Sequence, residues 1–212
     1  MHAAQCSVAM PTAPQSHPRP SPRAVGALFF ASGATALGLE LVWSKQLSVL
    51  LGGTTAAVAL VVALFMGGMA IGYGLGGRWA SQARHPIRAY GRCELELAAW
   101  GAGAVALVPA VPADWPAVLA YAASAALILP CTVLAGATLS LLVAAARERG
   151  GFALGRLYAL NSFGAVVGVL ATGLVAIGAL GLSGAGFAVA ALGGLVGLGA
   201  MVLPQDPLAI AA

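Results

Sequence analysis

The chain has 212 residues, of which 60% are hydrophobic and only 8% charged, and its mean hydropathy is +0.95. Soluble domains carry about 25% charged residues, so this composition excludes an ordinary water-facing shell and makes lipid the natural solvent of the surface. The net charge of +4 does not mark a nucleic-acid-binding protein, because the ten Lys and Arg residues fall in short clusters between apolar runs and form no basic-aromatic pattern.

Residues 1–23 hold Pro11, Pro14, Pro18, Pro20 and Pro22 and lack apolar periodicity, which predicts a disordered leader. Arg19 and Arg23 precede an apolar run, but no small-residue cleavage site follows, so the leader is not read as a secretory signal. Apolar spans follow near 24–43, 55–77, 95–112, 117–146, 157–179 and 184–203, each close to the ~20 residues that cross a hydrocarbon core. The last two come from one uncharged run, divided at the glycine-rich "GALGLSGAG". The runs are continuous rather than alternating, which favours helices over a barrel. The expected fold is therefore an all-α integral membrane protein, a six-helix transmembrane bundle over 24–203 with a short cytoplasmic tail at 204–212.

Arginine placement sets the expected orientation. With the N-terminus in the cytoplasm, Arg19, Arg23, the loop arginines Arg78, Arg84, Arg88 and Arg92, and Arg147, Arg149 and Arg156 all lie inside, and only Lys45 lies outside. The positive-inside rule then places both termini in the cytoplasm of a multi-pass protein of the inner or plasma membrane.

Glycines recur at helical spacing. Gly68, Gly72 and Gly76 share one face of the second span, Gly164 and Gly168 one face of the fifth, and Gly193 and Gly197 one face of the sixth. Lipid offers little hydrophobic gain for helix association, so small residues that let backbones approach are read as packing faces; the other reading is a lining for a solute path. "GAT" recurs at 33–35 and 136–138, and "MAIGYGLG" in the second span echoes "LVAIGALG" in the fifth. These echoes raise a weak 3+3 inverted repeat, a plan common among transporters.

Few polar residues lie at membrane depth. Glu40 is expected near the outer interface beside Trp43, either as an anchored interfacial carboxylate or as a functional one facing the bundle. Glu94 and Glu96 open the third span at its cytoplasmic end, where a helix N-terminus favours carboxylates, and Glu96 can pair with Arg92 four residues earlier. Pro130 breaks the hydrogen-bond ladder of the fourth span, and Thr132 or Thr138 could serve the freed carbonyls. Asn161, about one turn inside the fifth span, is read as an interhelical hydrogen-bond donor, with ligand binding as the alternative. Cys6, Cys93 and Cys131 form no C-x-x-C and read as free thiols, and His2, His17 and His85 lack ligand spacing, so neither a metal nor a cofactor is expected.

Four segments carry a family resemblance. "FASGATALGLELVWSKQL", "ALFMGGMAIGYGLGGRWA", "LPCTVLAGATLSLL" and "GRLYALNSFGAVVGVLATG" resemble, in that order, blocks of the membrane-embedded spermidine synthase-like proteins. The resemblance covers about 27–182, and Ser140 stands where that family's "GATLP" block often has proline. It implies a membrane bundle usually followed by a cytoplasmic Rossmann-like domain similar to aminopropyltransferases, which use decarboxylated S-adenosylmethionine and putrescine. The glycine-rich strand–turn–helix and paired acids of that chemistry are not found here, so no catalytic residue is assigned. Three functions are expected to compete: a non-catalytic anchoring, partner-binding or regulatory module that joins a separate catalytic subunit or another copy of itself, a transporter for a polyamine or other small cation, and a structural subunit of a membrane complex. The bilayer is the expected partner in all three.

Overall fold

The computed structural model describes residues 21–112, 114–147 and 154–203, and all the regular elements among them are helical. The leader up to residue 20, the tail from residue 204, and Cys6, His2, His17, Arg19 and Arg149 lie outside the described residues, as does the side chain of Arg147.

Helix α1 spans Pro22–Leu50. Ser21 caps it, its hydroxyl accepting the Ala24 N–H at 3.2 Å, and Pro22 takes the first helical position, where a missing N–H costs nothing. Gly52 and Gly53, at φ 74 and 64, turn the chain, a conformation glycine adopts without steric cost. Helix α2, Thr55–Gln82, then starts at a Thr54 cap. Helix α3, Pro86–Leu107, runs into a 3-10 turn at Val108–Ala110. Helix α4 is Ala117–Arg147, α5 is Leu154–Ala171, and a π-type turn at Thr172–Ala176 leads into α6, Ile177–Val202.

Three boundaries differ most from the sequence expectation, and the first is the end of α1, which runs to Leu50 rather than stopping near 43. The third span was expected from 95 and a loop over 78–92; instead α2 continues to Gln82 and α3 already starts at Pro86, leaving only residues 83–85 between them. Arg78, Arg88 and Arg92 therefore sit on helices and only Arg84 of the four lies in the connection. A helix need not stop where its apolar run stops, since an arginine can carry its charge to the interface on a long stem.

Five helices are long and apolar enough to cross a membrane when the last is taken as one run from Gly155 to Val202, 48 residues. That run is broken at Gly181, whose φ of 71 and ψ of 175 are not helical. The neighbours of α1 change direction across the break. Gly26, Phe30, Ala34 and Gly38 meet Leu160, Gly164, Gly168 and Thr172 in rising order, so α1 and α5 run parallel. Thr35, Gly38 and Val42 meet Gly193, Val189 and Gly186 in falling order, so α6 beyond the break runs antiparallel to α1. Helices α2 and α4 are parallel, with Gly68 on Thr132 and Gly76 on Ser140, while α3 and α6 are antiparallel, with Gly91 on Gly197 and Val105 on Gly186. The backbone of Gly181 lies in a region nearly closed to other residues, so Gly181→Ala is expected to cost about 1–3 kcal/mol. Gly178, with open space at its Cβ position and no positive φ, is the control: in a thermal melt in mild detergent, Gly178→Ala should leave the midpoint near wild type.

Two apolar clusters fill the bundle. One joins Val25, Phe29, Ile87, Leu141, Leu142 and Leu157 at the end that carries the arginines. The other joins Leu39, Val42, Trp43, Val61, Val105 and Ile128 toward the opposite end. Outside them, Met66, Ile71, Phe163, Leu170, Leu174 and Leu195 are exposed. Apolar surface this extensive needs a non-aqueous cover, as expected of a multi-pass membrane protein.

Candidate functional site

The stripe Tyr90, Cys93, Leu97, Gly101 and Ala104 follows the helical period and is the buried face of α3. Glu94 lies on that stripe. It is 1% exposed, and its Oε1 accepts a hydrogen bond from the Ser32 hydroxyl of α1 at 2.7 Å. Glu94 is eight residues past Pro86, about 12 Å along the helix, and Ser32 is ten past Pro22, about 15 Å. The pair therefore sits well inside the bundle rather than at the mouth of the third span, where the sequence placed Glu94.

The second carboxyl oxygen of Glu94 and the hydroxyl of Tyr90, one turn earlier and fully buried, make no hydrogen bond of good geometry, although the two side chains are close enough to interact. Close packing on the other side comes from α6, where a Cβ at Gly197 would lie 3.1 Å from the Glu94 Cβ. An unfilled acceptor in such surroundings is costly unless something occupies it. Four oxygens from two helices, one of them a carboxyl oxygen that makes no hydrogen bond, can take up a proton or help ligate a small cation.

Other polar groups have structural work. Pro109 supplies no N–H to the Val105 carbonyl, and that carbonyl instead accepts from Gln46 Nε2 at 2.8 Å. Beside Pro130, the Leu127 carbonyl accepts from Trp100 Nε1 at 2.8 Å. The sequence reading offered Thr132 and Thr138 for the carbonyls at that break; Thr132 reaches a carbonyl next to Pro130, and Thr138 turns elsewhere. Thr132 has the Leu129 and Leu64 carbonyls within reach, and Thr138 donates to Ala135 O at 2.7 Å. Ser140 donates to the Tyr73 carbonyl across the α2–α4 seam at 3.1 Å.

Glu40 is half-buried, with one carboxyl oxygen lacking a partner, and neighbouring Trp43 also leaves its indole N–H unpaired. Glu96 and Arg92 are exposed on the far face of α3, away from Glu94. Asn161 meets α1 through its backbone carbonyl, which lies where a Cβ on Gly33 would stand. Gly72 and Gly168 face the backbone of Val133 and of Ala34 in the same way. Among the described residues no three His, Cys, Asp or Glu gather closely enough for a metal. The glycines bring helices together, and of the carboxylates singled out in the sequence only Glu94 joins a buried hydrogen-bonded cluster.

Comparisons with protein-family models, with curated proteins and with solved structures gave no match.

Proposed function

We propose that the protein crosses the membrane six times as two inverted three-helix units, with its arginines in the cytoplasm, and that it binds and moves a proton or small cation through Glu94. The buried Ser32–Glu94 pair with its vacant carboxyl oxygen carries this reading. Ionisable groups at such depth are expensive and are typically kept for ion or substrate pathways.

The packing supports the inverted plan. If α1, α2 and α3 correspond to α4, α5 and α6, the α1–α5 seam maps onto α4–α2, and the α3–α4 seam maps onto α6–α1. The "GAT" blocks fall at equivalent places: a Cβ on Gly33 would meet the backbone of Asn161 and Ala165, and one on Gly136 the backbone of Met69. Thr35 and Thr138 each donate to the carbonyl three residues back. The second echo does not align in this way, because Gly164, which meets the Phe30 carbonyl as Gly72 meets that of Val133, takes the place of Gly72, and Gly168 that of Gly76. Where the first unit has Ser32, the second has Ala135, so the carboxyl's partner belongs to one half alone.

Reversal at Gly181 supports dividing the last run into two crossings. One end of the bundle then gathers Arg23, Arg78, Arg84, Arg88, Arg92 and Arg156, as the positive-inside rule requires for a cytoplasmic face.

Liposomes test the transport reading. Vesicles containing the protein and a pH-sensitive dye, under an imposed potassium diffusion potential, should acidify or take up a small cation faster than empty ones. Glu94→Gln should lower that flux at least tenfold. Equal flux with Glu94→Gln, or wild-type flux no faster than empty vesicles, would remove Glu94 from the function.

A second reading has its own observation. The four blocks that resemble spermidine synthase-like proteins are parts of α1, α2, α4 and α5, the members of the two parallel, glycine-packed pairs. What the resemblance captures is then a scaffold, suited to anchoring a separate aminopropyltransferase-like subunit. On both readings, the purified chain given putrescine and decarboxylated S-adenosylmethionine should show no turnover; measurable turnover would contradict both.

A further inference from the structure

The surroundings of Glu94 discriminate between the two kinds of ion it could take. Hard metal cations collect about six or more oxygens. Glu94, Ser32 and Tyr90 together supply four, and among the described residues no three His, Cys, Asp or Glu gather to complete a metal-binding group. Backbone carbonyls do not fill the gap, because α1, α3 and α6 are regular helix at this level and spend those groups internally. Space is short as well. A Cβ at Gly91 would stand 2.8 Å from the Gly197 carbonyl oxygen, and one at Gly197 2.8 Å from that of Gly91, so α3 and α6 press backbone on backbone beside the carboxyl. The side chains that act on Glu94 are Ser32 and Tyr90, with no basic group among them. A carboxylate buried without a counter-charge is costly, and a proton removes that charge while needing no room.

We propose that the ion held at Glu94 is a proton and not a metal cation, and that Tyr90 is a positioning residue for it. The inference rests on the reading that Glu94 carries the ion, and it names which ion. Uptake forms an O–H bond at Glu94 Oε2, the proton coming from water at the end of the bundle, and turns the carboxylate into a neutral acid; release reverses the step. Oε1 keeps the Ser32 hydrogen bond in both states. A hydroxyl both donates and accepts, so Tyr90 can donate to the ionised Oε2 and accept from the acid, holding the carboxyl in one place through the cycle. Its ring is fully buried in the apolar cluster with Val25, Phe29 and Leu141, which fixes where that hydroxyl stands.

Two measurements test this on the full chain. In vesicles under a potassium diffusion potential, internal acidification should run at the same rate whether the external cation is N-methylglucamine, sodium or lithium, and uptake of radioactive sodium should match that of empty vesicles. Tyr90→Phe, which keeps the ring and loses only the hydroxyl, should slow acidification about tenfold, the worth of one hydrogen bond to a charged group. In mild detergent, infrared difference spectra between acid and alkaline buffers should contain a carboxylic C=O band that is absent from Glu94→Gln, shifted in Tyr90→Phe, and unaffected by sodium or lithium. A merely structural tyrosine would not move that band. Sodium or lithium uptake that Glu94→Gln abolishes, or a band that either cation removes, would overturn the proton assignment while leaving Glu94 as the carrier of an ion. A band and a flux both unchanged in Tyr90→Phe would overturn the role of Tyr90. Flux of no ion above that of empty vesicles would instead remove the reading on which the inference rests. The cation competition is read on the wild-type protein, so it decides the matter even if Tyr90→Phe folds poorly.

Discussion

Gly72→Leu is expected to prevent the bundle from assembling, whereas Gly74→Leu, two residues away on the same helix, should be tolerated. A Cβ at Gly72 would meet the Val133 carbonyl, with the Gly136 Cα at 2.9 Å and the Ala137 N at 3.0 Å. These are backbone atoms of α4, so no side-chain rotation relieves the clash and α2 and α4 must separate. Overpacking against movable side chains costs about 1–3 kcal/mol, and a collision with backbone along a whole seam should exceed that. At Gly74 a Cβ meets nothing within 4 Å, so the added side chain points away from the bundle. Gly168→Leu should repeat the defect in the other pair, because its Cβ would strike the Ala34 backbone. Folded yield on size exclusion in mild detergent, followed by thermal melting of whatever remains, checks all three. A well-folded Gly72→Leu would mean that α2 and α4 do not approach as described.

Ser32 and Glu94 offer the second large effect, in function rather than stability. Ser32→Ala removes the donor to Glu94 Oε1 and is expected to lower stability by about 1 kcal/mol, since hydrogen bonds between membrane helices are modest in net worth. Ser32→Ala combined with Glu94→Met should recover most of that loss, because donor and acceptor are then removed together and neither is left unpaired by the other's loss. The same double variant should lose the flux entirely. Stability and flux would then part company, as expected of a carboxyl kept for use at a cost to the fold. If the double variant were much less stable than either single one, the pair would be a structural element and Glu94 would lose its functional assignment.

Much of this was legible in the sequence, because membrane helices announce themselves by long uncharged runs and glycines at a spacing of four mark where backbones meet. Gly68, Gly72, Gly76, Gly164 and Gly168 are all buried in helix seams. Glu94 was misjudged for an identifiable reason. Charge density drew the boundary of the third span at residue 95, although Tyr90, Cys93 and Leu97 already traced a buried stripe through Glu94. Helical periodicity carried that information and composition concealed it. Trp100 and Gln46 were beyond reach, since each serves a carbonyl on another helix, and which helices adjoin is a matter of tertiary packing. The partner of Asn161 was hidden similarly, because a glycine that admits a backbone carbonyl reads in sequence like any other glycine.

The proposed alternating course of the chain across the membrane, with its reversal at Gly181, is tested most directly by cysteine accessibility. In a background with Cys6, Cys93 and Cys131 replaced, single cysteines would be placed at Gly52, Ala83 and Ser183 and challenged in intact cells with a membrane-impermeant maleimide. Labelling of Gly52→Cys and Ser183→Cys from outside is expected, with Ala83→Cys labelled only after lysis. Ser183→Cys protected until lysis while Gly52→Cys labels, or Ala83→Cys labelled from outside, would contradict it.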